Sequence, residues 1–77
     1  AKAQYNLGWM YYNGKGVEQN SVIAYAWWNI AATNGQQDSK EALPQLAKKM
    51  TAEQIAKAKA LSKEMIKNNP KLIKKEE

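Results

Sequence analysis

The chain has 77 residues, a formal net charge of +5, and neither cysteine nor histidine. That length allows one domain with a small core, burying roughly 60% of the unfolded surface. Disulfide and thiolate chemistry are excluded, and the commonest general base is missing. The charge is lopsided: Lys2 and Lys15 cancel Glu18 and Asp38, and residues 39–77 hold ten Lys against five Glu. No Arg is present. A nucleic-acid reader would use Arg for bidentate contacts and stacking, so the Lys run is expected to be a solvated helix surface. No apolar stretch nears the ~18 residues of a membrane span, and no signal peptide is visible. The sequence begins without Met, inside an expected helix, so a fragment of a longer protein is expected.

The first helix is expected over Lys2–Asn13. Ala3, Leu7, Met10 and Tyr11 recur at helical spacing on one face, with Leu7 expected in the hairpin core and the Ala3/Gln4 edge left uncovered. Tyr5, Trp9 and Tyr12 form a second stripe on the other side, flanked by Lys2, Asn6 and Asn13. A helix apolar on two faces is either sandwiched or presents one face to a partner. Gly8 lies between the faces. An interior glycine costs ~1 kcal/mol against Ala, which implies close approach of a neighbouring helix.

Gly14 and Gly16 then supply positions free to take φ > 0, and Asn20 offers a cap to a second helix over Ser21–Asn34. Ala24, Trp28, Ala31 and Ala32 share one seam, with Tyr25 at its margin. Ile23, Trp27 and Ile30 form another. Trp27 and Trp28 point about 100° apart, so they cannot make one platform. Trp28 is expected in the core and Trp27 against a later helix, and Gly35 stops this one.

The pattern Ala3, Asn6-Leu7-Gly8, Tyr11, Gly14-x-Gly16-Val17, Asn20, Ala24, Trp28, Ala31-Ala32, Gly35 resembles a Sel-one-like repeat, the longer-looped relative of the tetratricopeptide repeat. The resemblance covers residues 1–35. It implies a helical hairpin of a right-handed solenoid, used in protein–protein interaction in bacterial signalling, envelope or host-contact roles among others. It also implies that Lys2, Tyr5, Asn6, Trp9, Tyr12 and Asn13 face a concave peptide groove. The alternative, Tyr5 and Trp9 packing on a neighbouring repeat, stays open. Repeats bury their apolar faces only by stacking, about three together, and one is present here.

A third helix is expected from Asp38 as N-cap, with Glu41 completing a capping-box spacing. Ala42, Leu43, Leu46, Ala47 and Met50 form its apolar face, with Lys48 and Lys49 at the dipole's negative end. Pro44 predicts a kink, or a first turn displaced toward Glu41–Leu43. Thr51 and Gln54 make a second capping-box spacing, opening a fourth helix that buries Ile55, Ala58, Leu61, Ser62 and Met65. Met50-Thr51-x-Glu53-Gln54-Ile55-Ala56 also resembles the helical stretch that closes such arrays. Pro70 ends this helix, and Lys71–Glu77 is expected to fray.

The constellations for chemistry are poor. Glu18, Asp38, Glu41, Glu53 and Glu64 are scattered among caps and exposed positions, and no Asp-rich loop of calcium spacing appears. Gly14-Lys15-Gly16 lacks the spacing and preceding strand of a phosphate loop. The expected fold is all-α, four helices in two stacked hairpins: residues 1–35 the repeat, 36–69 C-terminal capping helices, and 70–77 a charged flexible tail. The expected function is a non-enzymatic scaffold or adaptor binding a protein or peptide partner, without cofactor, metal, nucleic acid or membrane. A homodimer through the uncapped first helix is also expected. The alternatives are a purely structural cap, and a Lys-driven binder of acidic surfaces or nucleic acid.

Overall fold

The computed structural model describes residues 2–16 and 18–73. Four α-helices follow in order: α1 (Lys2–Asn13), α2 (Ser21–Thr33), α3 (Gln37–Ala47) and α4 (Ala52–Asn68), with a short 3-10 turn at Pro70–Leu72. The second helix is the spine, packing against each of the other three. Its composition requires this: Ala24, Ala26, Ile30 and Ala31 are fully buried and Trp28 nearly so. A helix apolar on both stripes has to be covered on several sides. Leu46, Met50 and Ala58 complete the core from α3, the turn that follows it and α4.

The α1–α2 connection is held by its own hydrogen bonds. Gly14 and Gly16 take φ of +69° and +78°, which reverse the chain. The α1 carbonyls left over by helix geometry are then met in turn. Lys15 N donates to Met10 O at 3.0 Å, Asn20 N to Tyr11 O at 2.9 Å, and the Gln19 side chain to Tyr12 O at 2.8 Å. Asn20 also caps α2, accepting from Ile23 N at 3.1 Å.

At its other end α2 closes with Gly35 at φ +93°, Gln36 N donating to Ala31 O and Gly35 N to Ala32 O. These paired bonds are a Schellman closure. They correct the start of α3. The reversal finishes at Gln36, so the helix begins at Gln37, capped by Gln36 without a side-chain bond. Asp38 therefore lies in the first turn instead of capping, where its carboxylate still favours the helix dipole. Pro44 does not displace the first turn either: the helix continues through it to Ala47. Pro44 removes the amide that the Lys40 carbonyl would bond, and both residues are exposed. The Thr51/Gln54 capping box opens α4 with both reciprocal bonds, 3.1 and 3.0 Å.

Two further expectations change. On α1, Leu7 is only half-buried and outside the core cluster, whereas Tyr11 of its own face and Tyr5 and Tyr12 of the second stripe pack on it. Tyr5 and Tyr12 turn to the core because their rings cover the Trp28 indole. The chain also does not fray directly after Pro70. The Leu72 carbonyl accepts from Gln4 Nε2 and Asn34 Nδ2, each at 2.7 Å, and Asn34 Nδ2 also donates to Gln4 Oε1. Residues 74–77 of the expected tail lie outside the described residues.

Candidate functional site

Trp28 projects from the middle of α2 and is 2% exposed. Its indole N–H donates to the Tyr5 carbonyl at 3.0 Å, a contact open only because residue 8 is glycine. A Cβ there would lie 2.3 Å from two Trp28 ring atoms. Three α1 rings gather on this indole. Tyr5 stacks at 6.1 Å and 27°, Tyr12 tilts at 5.7 Å and 37°, and Trp9 meets it edge-on at 5.6 Å. Trp9 is also T-shaped to Tyr5 and Tyr12. Offset and edge pairs of this kind contribute roughly 0.5–1.5 kcal/mol beyond area burial.

The cluster borders a cleft of ≈ 110 Å³ between α1 and α3. Trp28 lies at its base and Trp9 and Tyr12 on the α1 side. The α3 side and its C-terminal turn bring Ala42, Gln45, Leu46 and Lys49, at i, i+3, i+4 and i+7 on one face. The space suits one side chain and falls short of the roughly 300–1,000 Å³ of a small-molecule site. Lys49 Nζ donates to the Tyr12 hydroxyl at 3.0 Å and lies 5.6 Å from that ring's centroid. The hydrogen bond to Tyr12 raises the ammonium above its ordinary value of 10.5, so Lys49 is charged at physiological pH. No carboxylate pairs with it among the described residues. Asp38, Glu41, Glu18, Glu53 and Glu64 are all exposed, so no buried carboxylate lies near the cleft among the described residues.

The six residues singled out by sequence separate into two groups. Tyr5 and Tyr12 are half-buried in the ring cluster. Lys2, Asn6 and Asn13 are exposed, and Trp9 remains 38% exposed at the cleft. Ala42, Gln45, Leu46 and Lys49 were missed as site residues. Their common helical face was a usable signal, but nothing in the sequence showed that this face lies opposite Trp9.

Residues 1–36 match the family model described as the Sel1 repeat. Among solved structures, the chain is similar to a protective antigen present in uropathogenic Escherichia coli strains displaying an SLR fold. The TM-score is 0.82 and the identity 38%, over 92% of this chain and 16% of that one. The chain thus spans 16% of the length of the solved relative. No curated protein matches it.

Proposed function

Because residues 1–36 form a Sel1 repeat within a Sel1-like repeat protein, we propose that this chain is a non-enzymatic docking module of a scaffold or adaptor, taking a partner segment on the face shared by α1 and α3. Sel1 repeats are in general helical modules of protein interaction. One observation carries the choice of face: Trp9 keeps 38% of its surface exposed beside a cleft based on Trp28. Half-exposed aromatics beside an apolar cavity supply the large desolvated contacts on which binding energy concentrates. Lys2, Asn6 and Asn13, exposed on the same helix, would hold the partner's polar groups.

Selection of random heptapeptides displayed against the folded chain tests this. Enriched peptides should perturb tryptophan fluorescence and bind the Trp9→Ala variant at least tenfold more weakly. Enrichment of nothing, or of peptides indifferent to Trp9→Ala, would leave a purely structural element instead. Loss of binding on changing Lys57, Lys59 and Lys63 to Gln would move the function to electrostatic capture by α4.

A second reading concerns self-association. Met10, 38% exposed, and Ala3 lie away from Trp28, with Leu7 half-buried beside them. A helix of 12 residues spans ~18 Å, too little to bury a standard interface of about 1,600 Å² against its copy. A weak two-fold dimer is therefore expected. Sedimentation at hundreds of micromolar should show a rise in weight-average mass that Met10→Lys abolishes. A strict monomer removes this reading.

A further inference from the structure

We infer that the cleft between α1 and α3 selects an acidic partner segment, one in which an Asp or Glu side chain stands within two residues of the apolar side chain that enters the cavity. This rests on the docking reading above and adds the partner's chemistry.

The apolar half of the specification follows from Trp9, Tyr12, Trp28 and Leu46, which surround a space sized for one side chain. The charged half follows from Lys49. It lines the same cavity, so its charge stands within one side-chain length of the buried group. Its position is held by the Tyr12 hydroxyl, which occupies one of three ammonium donors and leaves two for a partner. Pre-positioning of this kind lowers the ordering entropy that normally weakens an exposed lysine pair.

No carboxylate among the described residues is paired with it: Asp38 and Glu41 lie in the first half of α3, and Glu53, in the first turn of α4, is exposed. The form of the carboxylate follows as well. Capture of a chain-terminal carboxylate uses nests of free backbone N–H groups. The cleft is lined mostly by residues inside helices, whose backbone amides are already bonded, leaving side-chain donors only: the Lys49 ammonium, the exposed Gln45 amide, the Trp9 indole N–H and the Tyr12 O–H. One cation among side-chain donors, with no nest of free backbone N–H groups, suits a solvated side-chain carboxylate, with Gln45 left for the partner's backbone.

The heptapeptide selection separates this inference from the docking reading. Against the unaltered chain, enriched peptides should carry Asp or Glu within two residues of Leu, Ile, Met or Phe. A synthetic representative with acetylated and amidated ends should bind at least tenfold more tightly than its Asn or Gln counterpart. Lys49→Met, at an exposed site with no structural partner except Tyr12, should abolish that preference while leaving the helical circular dichroism unchanged. Lys57→Met on the outer face of α4 removes the same unit of net charge and should leave the preference intact. Enrichment of neutral or basic peptides that still require Trp9 would overturn the acidic specification and leave docking standing. Equal losses in Lys49→Met and Lys57→Met would overturn it too, by assigning the preference to net charge. Preference for peptides with a free C-terminus over amidated ones would replace the side-chain carboxylate with a terminal one.

Discussion

Gly8 is the position at which sequence, packing and site meet. In isolation Gly8→Ala would favour α1 by about 1 kcal/mol through helix propensity. The structure reverses that sign, because the added carbon would lie 2.3 Å from the Trp28 ring, itself pinned by its bond to Tyr5 O. Overpacking of a fixed ring costs about 1–3 kcal/mol. Urea unfolding should therefore show Gly8→Ala net destabilised and its tryptophan emission shifted. A stabilised variant would mean that α1 does not sit on Trp28. Ser39 presents the opposite case, fully buried with an Oγ that finds no partner. Removing an unpaired buried hydroxyl leaves nothing orphaned, so Ser39→Ala should be neutral or stabilise by about 1 kcal/mol. A loss of more than that would reveal a bond the hydroxyl makes in solution.

The helices themselves were largely legible in the sequence, and the reasons differ from one to the next. Thr51 and Gln54 announced α4 because a capping box is local: both partners lie within one turn, and both bonds form. Thr51→Ala should accordingly cost about 1 kcal/mol, with the loss appearing first as faster amide exchange in residues 52–55. Unchanged stability and exchange would mean that the box is decorative. Asp38 misled for a related reason. Its spacing to Glu41 satisfied the same pattern, but the Schellman closure at Gly35 had already fixed where α3 begins. The division of burial between the two stripes of α1 has a different origin. Periodicity gives two stripes and cannot rank them, since the choice depends on which stripe Trp28 needs, 23 residues away in the chain. Lys49 was invisible as a site residue because Tyr12, which positions it, is 37 residues distant.

At the scale of the molecule, α2 organises the chain by packing on α1, α3 and α4, and one interaction spans further than any of these. Gln4 and Leu72 are 68 residues apart and meet through a single carbonyl that Asn34 also claims. Segments near in sequence associate early, and a contact across nearly the whole chain has the largest loop to close. The Leu72 clasp should thus form after the rate-limiting barrier. Gln4→Ala would then leave the refolding rate within about 1.5-fold while unfolding accelerates several-fold in stopped-flow traces. Slowed refolding would place the clasp in the folding nucleus. As a late latch it governs how long the folded state persists, rather than how quickly it is reached.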